Sequence, residues 1–379
     1  MLDNVQVIDS DFLSGIAANA AVHDRDGSFP TDSLRLLRNA GKLALGVPRQ
    51  YGGQNAGLRE TTELVTTVGA ACASTALILA MQCLQHNGIY RSLRWPGHLR
   101  ELVGRTAAQD GALINALRVE PALGTPARGG LPDTTARRTA EGWSLTGHKI
   151  YSTGAPGLTW MLVWARTDDP EPMVGMFLVP AKSAGIKIIE TWDQLGLRAS
   201  GSHDVLLNNV VVPADYAVDI RRPKEWAERD PAVAGWNAML ISAVYNGVAH
   251  AARDWLRDFL HSRVPANLGA SLATLPRMQE AVGAIEGRLL VNNRLISGAA
   301  AEIDAGTHMP DTNSINLIKT AVCDNAIAAV EHAVLLGGNH ALSRANPLER
   351  HLRDVLCARI HTPQPDMAHL AAGKLSLGF

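Results

Sequence analysis

The stretch of sequence that decides the fold runs from residue 232 to residue 262 and reads AVAGWNAMLISAVYNGVAHAARDWLRDFLHS. Its apolar residues recur at helical spacing and cover most faces of the helix that they predict. A helix with this distribution must be buried on several sides. The stretch therefore predicts a long central helix inside a helical domain.

More long helices are predicted downstream of this one, at residues 275–305, 312–336 and 347–359. Gly306 and the pair Gly337-Gly338 are typical helix stop signals. The longest segments would extend over more than about 30 Å, at about 1.5 Å per residue. Together with the first helix, they predict an up-and-down four-helix bundle.

Upstream of the bundle, residues 112–212 contain short runs rich in Val, Ile, Leu, Trp and Thr. The runs are residues 143–145, 160–165, 175–179, 186–189 and 205–212. Glycine, proline and aspartate separate them, which is typical of antiparallel strands joined by turns. A middle β domain is the expected result.

Residues 12–105 return to apolar residues at three- and four-residue spacing, which predicts helices. A chain of 379 residues is long enough for two or three domains. We expect an α+β protein that is mostly α, with an N-terminal helical domain (1–111), a middle antiparallel β domain (112–218) and a C-terminal helical bundle (219–379).

Composition limits the range of partners. Lys and Arg number 35 against 36 Asp and Glu, so no global field would recruit nucleic acid or an anionic membrane. A small ligand or an internal cofactor is expected instead. The first eleven residues do not have the pattern of a signal peptide, which favours a cytoplasmic location. The four cysteines form no CxxC pair and the histidines show no HxxxH or HExxH spacing, so we expect no metal site.

Several local strings, taken in order, resemble those of the acyl-CoA dehydrogenase superfamily of flavoproteins. The strings are Gly46–Gly53, Glu120–Thr125, Gly147–Gly154, Leu195–Ser202, Val210–Pro213, Gly337–His340 and Arg353-Asp354. Each string alone is common in proteins, but their order and spacing over nearly the whole chain are specific. The resemblance implies the same plan of helical domain, β domain and helical bundle.

The resemblance also implies a bound flavin, FAD or FMN, that the protein orients and whose charge it stabilises. It places the backbone of Leu117 to Val119 and the pair Ser152-Thr153 against the flavin ring, with the Thr153 hydroxyl as a donor to N5. Tyr151 would stack against one face of the ring. Without the family, these residues are ordinary turn chemistry.

The phosphate end of the cofactor would be held by two further sets of residues. Gly124 and Thr125 would approach the pyrophosphate, where a small residue admits the backbone and a hydroxyl can donate. In the family a neighbouring subunit completes the site, which here implies Arg263, Gly337 and Gly338 and a homodimer or homotetramer. The alternative for Arg263 is a cation that faces the C-terminal dipole of its helix.

The catalytic base of the family is missing from this chain. Acyl-CoA dehydrogenation needs a carboxylate about 3 Å from the proton that is removed. The comparison with the family puts Thr362 at that position, and a Thr hydroxyl cannot serve as the base near neutral pH. The alternative place for an acid, near Trp236 and Asn237, holds none. Asp366 could approach the site, although a helix cap is its simpler interpretation.

A branch of the superfamily lacks this carboxylate because it does other work. It receives reduced flavin from a partner reductase and forms a C4a-hydroperoxide that hydroxylates a small substrate. The chain resembles that branch in Ser152-Thr153-Gly154 and in His361-Thr362. His361 would supply a hydrogen-bond donor, with His86 as a second candidate; the simpler interpretation of each is a satisfied interior histidine.

Three hypotheses on function remain open at this point. The chain is a flavin-dependent dehydrogenase of an acyl-CoA or a similar substrate, a two-component flavin monooxygenase of a small organic compound, or a scaffold that keeps the fold without the reaction. The expected partners are the small-molecule substrate and a flavin reductase or an electron-transfer protein. Neither nucleic acid nor membrane is expected as a partner.

Overall fold

The computed structural model describes residues 10–123, 130–226, 230–307 and 309–379. Five helices build the first layer: α1 (Ser10–Asp26), α2 (Thr31–Asn39), α3 (Leu58–Ala71), α4 (Ala73–Arg91) and α5 (Gly97–Asp110). Residues 73–80 of α4 are buried on every side, so this helix lies inside the molecule rather than on its surface.

The middle layer is one eight-stranded sheet. Its strands are β1 (Leu113–Leu117), β2 (Thr135–Thr139), β3 (Gly142–Ser152), β4 (Leu158–Thr167), β5 (Val174–Pro180), β6 (Ile186–Ile189), β7 (His203–Val212) and β8 (Ala217–Arg221). All five runs predicted as strands lie inside β3 to β7. The spatial order is β6-β7-β3-β2-β4-β5-β8, and β1 pairs with β4.

Most neighbouring strands are antiparallel, as predicted, but β1 and β2 both pair with β4 in parallel. Parallel neighbours need a crossover connection. Here β2 and β3 form a hairpin that separates β1 from β4 along the chain. The sequence pattern therefore predicted the presence of a sheet but not this crossover. The domain boundary that we place at residue 218 falls within β8.

The third layer is the helical bundle. Its helices are α6 (Pro231–Ser262), α7 (Pro276–Ala305), α8 (Thr312–Gly337), α9 (Asn339–Leu342), α10 (Leu348–Leu356) and α11 (Pro365–Leu377). Asp230 caps α6 through a hydrogen bond from Ala232 N at 2.9 Å, and Asp311 caps α8 in the same manner. Gly306 ends α7 in the left-handed conformation that glycine adopts without strain.

Helix α6 lies at the centre of the molecule and packs against α3, α4, α7, α8 and α10. Its contact with α3 depends on two glycines. A Cβ atom at Gly247 would lie 2.2 Å from Thr66 O, and one at Gly69 would lie 2.7 Å from Val244 O. Because neither residue has a side chain, the two helices approach closely, and one hydrophobic core runs through both helical layers.

Helix α8 and the residues that follow it, Thr312–His340, are long and apolar enough to cross a membrane by length and composition. In this structure α8 packs against α6, α7, α10 and α11. Most of its apolar residues are buried in the bundle, whereas Leu317 and Leu335 are exposed.

Candidate active site

The turn that follows β3 carries the first group of candidate residues. Tyr151 has a φ of 55°, a left-handed conformation that is uncommon outside glycine and is found often at functional sites. Its side chain is 59% exposed and meets Trp192 edge-on, with ring centroids 6.3 Å apart. Gly154, with a φ of 81°, completes the turn. The Tyr151 ring is thus displayed at the surface of the sheet.

Two hydrogen bonds hold Thr153 in place, one through its side chain and one through its backbone carbonyl. Its hydroxyl lies 3.0 Å from Ser202 Oγ, and its carbonyl accepts a hydrogen bond from Asn115 Nδ2 at 3.0 Å. Ser202 in turn lies 2.8 Å from Ser200 Oγ. A hydroxyl has one donor and two acceptor positions, so Thr153 can accept from Ser202 and still donate outward.

Ser152 provides the observation that tests whether a cofactor fits here. The residue is 1% exposed, and its Oγ atom has no hydrogen-bond partner among the described residues. Leaving such an atom unpaired costs about 1–3 kcal/mol. A polar ring bound beside this turn would supply the missing partner, so the residues present fit a flavin.

The structure describes two of the predicted cofactor residues near this turn and leaves two others undescribed. Leu117 is buried at the end of β1, and Val119 accepts a backbone hydrogen bond from Ile150 N at 3.0 Å. Val119 therefore lies beside the strand that leads to Ser152, and the contact of both residues with the flavin stays a prediction. Gly124 and Thr125 lie outside the described residues.

A loop between β6 and β7 connects the turn to the bundle. Gly154 N donates to Ser200 O at 2.9 Å. At the other end of the loop, Leu197 N donates to Asp354 Oδ1 at 2.7 Å. Burial raises the pKa of Asp354 to about 6. The sheet and the C-terminal segment of the chain are thus joined through a short run of hydrogen bonds.

His361 lies on the bundle side of the site and contacts Tyr245 of α6. The Tyr245 hydroxyl oxygen lies 2.5 Å from His361 Nδ1. Burial lowers the pKa of His361 to about 4 and raises the pKa of Tyr245 well above its usual value. Both groups are therefore neutral near pH 7.

The protonation pattern of this pair follows from the donors available. Within the described chain, His361 is the one hydrogen-bond partner found for the Tyr245 hydroxyl. A hydroxyl that donates to Nδ1 leaves the proton of the neutral imidazole on Nε2. We assign that tautomer from the network. It makes His361 Nε2–H a hydrogen-bond donor.

The Thr362 backbone carbonyl accepts a hydrogen bond from Asn237 Nδ2 at 3.3 Å. Asn237 occupies the alternative place where an acid was sought, and its amide cannot act as a base. Asp366 is exposed in the first turn of α11, whose N-cap is Gln364. Among the hydrogen bonds and ion pairs of the described residues, none joins a carboxylate to residues 361–363.

His86 is buried within the N-terminal helices. Its Nε2 atom lies 3.4 Å from Gln82 Nε2, while Nδ1 lacks a partner in the described structure. Burial lowers its pKa to about 3. Gln82 also accepts a hydrogen bond from Ile114 N at 2.7 Å, one residue before Asn115. His86 is thus linked to the sheet side of the site, and its role in the reaction stays a prediction.

Arg263, Gly337 and Gly338 lie far from His361 in the same chain. Arg263 is exposed and follows the last residue of α6, about 39 Å along the helix from Asn237 at 1.5 Å per residue. Gly337 packs against Trp255, where a Cβ atom would lie 3.1 Å from the indole. Gly338 has a φ of 53°. Within one chain, these three residues are therefore not brought together with His361.

Two residues of the site were missed from the sequence, Asn115 and Tyr245. Asn115 is a polar residue in an otherwise apolar strand, LINAL, and Tyr245 lies in a mostly apolar part of the α6 sequence. A buried polar group needs a partner. An isolated polar residue within an apolar run is therefore the pattern that could have identified both.

Comparisons with known proteins identify the family and the fold. Models of the N-terminal, middle and C-terminal domains of acyl-CoA dehydrogenases match residues 11–92, 119–210 and 239–364. The putative acyl-CoA dehydrogenase YdbM of Bacillus subtilis is 31% identical over 350 residues, which cover 92% of this chain and 90% of YdbM.

Two further relatives differ from the acyl-CoA dehydrogenases in their names or in the ligands bound to them. An L-evernosamine nitrososynthase from a Micromonospora strain is 28% identical over 369 residues, which cover 91% of this chain and 84% of that protein. The X-ray structure of KijD3 in complex with FMN and dTDP-3-amino-2,3,6-trideoxy-4-keto-3-methyl-D-glucose is 28% identical, with a TM-score of 0.84. The similarity covers 97% of this chain and 92% of KijD3.

The fold and the site define an oxidoreductase of the three-domain flavoprotein class. The chain belongs to the acyl-CoA dehydrogenase family.

Proposed function

We propose that this protein is the oxygenase component of a two-component flavin monooxygenase that acts on a small organic substrate. The observation that carries the proposal is the His361–Tyr245 pair next to Thr362, where the family has its carboxylate. A buried neutral imidazole with its proton on Nε2 is a hydrogen-bond donor and not a base for a weakly acidic C–H bond. The site is therefore suited to oxygen transfer more than to proton abstraction.

The cofactor of the proposed reaction is FAD or FMN. Once reduced by a partner reductase, it would supply two electrons, so that O2 and the substrate RH yield ROH, water and oxidised flavin. Thr153, fixed by Ser202 and Asn115, would donate a hydrogen bond to the ring. Ser152 Oγ would gain the partner that it lacks, and Tyr151 would cover one face.

His361 would hold the distal polar atom of the reacting group through Nε2–H. Packing against Tyr245 of α6 shields the His361 imidazole in part from water. A dry pocket protects an oxygen-transfer reaction from hydrolysis. Tyr245 fixes the tautomer, and Asn237 fixes the peptide that carries Thr362.

The substrate class is suggested by the relatives. The nitrososynthase names and the amino sugar bound by KijD3 point to a small molecule with a primary amine. An amine is more easily oxygenated than a C–H bond, and it needs no carboxylate base. Amino sugars, free or carried by a nucleoside diphosphate, are therefore the first compounds to test.

We further propose that the enzyme works in the cytoplasm as a homodimer or homotetramer. In the assembly, Arg263 and the Gly337-Gly338 turn of a second copy would complete the phosphate side of the flavin site. Arg is suited to this role because its planar guanidinium can bridge phosphate oxygens. The length of α6 between Asn237 and Arg263 supports the proposal.

The test compares two reactions of the purified flavoprotein. In the first, a flavin reductase with NADH supplies reduced FMN or FAD under 18O2, a panel of amino sugars is added, and mass spectrometry detects product that contains 18O. We expect 18O in the product, and a lower yield with His361→Gln. In the second, the oxidised holoenzyme is mixed anaerobically with butyryl-CoA or octanoyl-CoA. Bleaching of the flavin by either thioester would overturn the monooxygenase proposal in favour of the dehydrogenase that the similarity to YdbM suggests.

A further inference from the structure

Lys319 of α8 is fully buried and binds the segment that carries His361 and Thr362. Its Nζ atom donates to Ala358 O at 3.2 Å, to His361 O at 2.8 Å and to Pro363 O at 3.0 Å. A lysine ammonium has three N–H donors. All three are therefore used on one short stretch of backbone.

That stretch makes few backbone hydrogen bonds of its own. The turn at Cys357–Arg359 ends with Ile360 N donating to Cys357 O at 3.1 Å, and α11 begins at Pro365. Between them, side chains satisfy the carbonyl groups. Besides those bound by Lys319, Thr362 O accepts from Asn237 at 3.3 Å, and Ile360 O accepts from Gln364 at 3.5 Å. The conformation of residues 360–363 depends on donors from outside the segment.

The burial of this charge is costly, which makes its position informative. No ion pair of the described residues includes Lys319, and burial lowers the pKa of its ammonium. Its compensation comes from carbonyl dipoles at the C-terminal end of α10 and the turn after it, where a cation is favoured. A methionine would fill the same volume without the cost of burying a charge.

We propose that Lys319 is a positioning residue, which holds the His361–Thr362 backbone so that the His361 imidazole is presented to the reacting centre. The proposal rests on the proposed function, in which His361 donates a hydrogen bond to the reacting group. The backbone of His361 is fixed by Lys319 and its ring by Tyr245, so two anchors determine the direction of Nε2–H. Burial is the main cause of the lowered pKa of His361, and the positive charge of Lys319 lowers it further.

The test uses Lys319→Met in the holoenzyme, with hydrogen–deuterium exchange followed by mass spectrometry. We expect the amides of peptides that cover residues 360–364 to exchange at least about tenfold faster, because local opening of this segment no longer breaks the Lys319 bonds. The kcat for 18O transfer should fall by about 10- to 100-fold, since a displacement of about 1 Å can cost that much. Flavin affinity and KM should change by less than about threefold, since Lys319 touches neither ligand.

Thr320→Val is the matched control on the same helix. Thr320 is buried, and its hydroxyl donates to Asn316 O within α8 at 2.9 Å. Loss of this hydroxyl therefore affects the packing of α8 but removes no hydrogen bond to residues 360–363. This variant should leave exchange at residues 360–364 and kcat close to those of the parent. Lys319→Gln keeps two N–H donors and should give an intermediate exchange rate; it carries the test if Lys319→Met does not fold.

The outcomes separate the two proposals. Unchanged exchange at residues 360–364 in both Lys319 variants would overturn the positioning role, whatever reaction the enzyme performs. Faster exchange in Lys319→Met, together with a parent enzyme that makes no 18O product, would support the positioning role and reject the monooxygenase. An equal loss of kcat in Thr320→Val and Lys319→Met would also overturn it, since general weakening of α8 would then explain the effect.

Discussion

At the scale of single residues, Tyr245 and His361 determine each other's hydrogen-bonding roles in the candidate site. Neither ring carries a charge near neutral pH, because burial moves both pKa values away from 7. The hydroxyl donor then decides which imidazole nitrogen keeps the proton. The sequence identified His361 but not its partner, because the two residues are 116 positions apart and only the bundle brings them together.

Tyr245→Phe should remove the group that fixes the tautomer. We expect the kcat for oxygen transfer to fall by about 10- to 100-fold, since general acid–base and donor groups contribute on that scale. Stability should fall by about 1–3 kcal/mol, because His361 Nδ1 is left without a partner. Product formation and urea denaturation measure the two effects. Tyr216→Phe, in a half-buried position at the edge of the sheet, is the control; an unchanged kcat in Tyr245→Phe would contradict the tautomer assignment.

Thr153→Val should weaken flavin binding. The substitution keeps the shape of the side chain but removes a hydroxyl that lies 3.0 Å from Ser202 Oγ. The loss of one such hydrogen bond costs about 0.5–1.5 kcal/mol, which corresponds to a rise of about 2- to 13-fold in the flavin Kd. Quenching of flavin fluorescence on titration measures it. Thr153→Ser should retain most of the flavin affinity, and Thr320→Val should not alter it. If Thr153→Val bound flavin as tightly as the parent protein, the Thr153 hydroxyl would not contact the ring.

Among the elements, the pairing of α3 with α6 depends on closely approaching backbones. Gly247→Ala would bring a methyl group within 2.2 Å of Thr66 O. We expect a loss of about 1–3 kcal/mol in the free energy of unfolding, because neither backbone can move without shifting a helix. Gly287→Ala in α7 is the matched control, since nothing lies within 4 Å of its added Cβ atom.

Gly287→Ala should leave the free energy of unfolding unchanged or raise it by up to about 1 kcal/mol, because alanine favours the helix more than glycine does. Chemical denaturation of both variants gives the comparison. If Gly247→Ala were as stable as Gly287→Ala, the close approach of α3 and α6 would not be a constraint on the fold.

Regular elements were predictable where burial imposes a pattern. The bounds expected for the long bundle helices agree with α6, α7 and α8 to within a residue or two, because Pro231, Pro276 and Gly306 mark their ends. Strands β1, β2 and β8 were missed. The residues of β2, TARRT, are mostly polar, and a polar residue interrupts the apolar runs of β1 and β8, Asn115 in the first and Asp219 in the second.

The site was predictable only in part for a different reason. Ser152, Thr153 and His361 stand in strings that resemble the family, so their positions followed from local sequence. Asn115 and Lys319 act through contacts that span 38 and 42 residues of chain, and no local pattern specifies such a contact. A lysine in a helix is usually expected on a solvated face, and the packing of α8 overrides that expectation.

The whole molecule contains several buried histidines, which makes its stability depend on acid. Burial lowers the pKa of His86 and His351 to about 3 and that of His361 to about 4, so below the ordinary value of 6.5 the unfolded chain binds protons that the folded chain does not. Asp354, with its pKa raised to about 6, has the opposite effect. Three histidines outweigh one carboxyl, so unfolding takes up protons between pH 4 and 6, and stability should fall as pH decreases through this window.

Urea denaturation at pH 7, 6 and 5 measures this slope. His351→Leu should make the loss of stability with falling pH shallower, because one buried histidine no longer contributes to it. His369→Gln, at an exposed position in α11, is the control and should leave the slope unchanged. A slope that stays the same in His351→Leu would show that the buried histidines do not control the acid response.

The shared core between α3, α4 and α6 has a consequence for how such an enzyme acquires new substrates. The two helical layers cannot hinge apart without exposing one continuous apolar interior, so the candidate site beside them has a fixed frame. Under the proposed function, a change of substrate would come from individual side chains around that site while the frame stays the same.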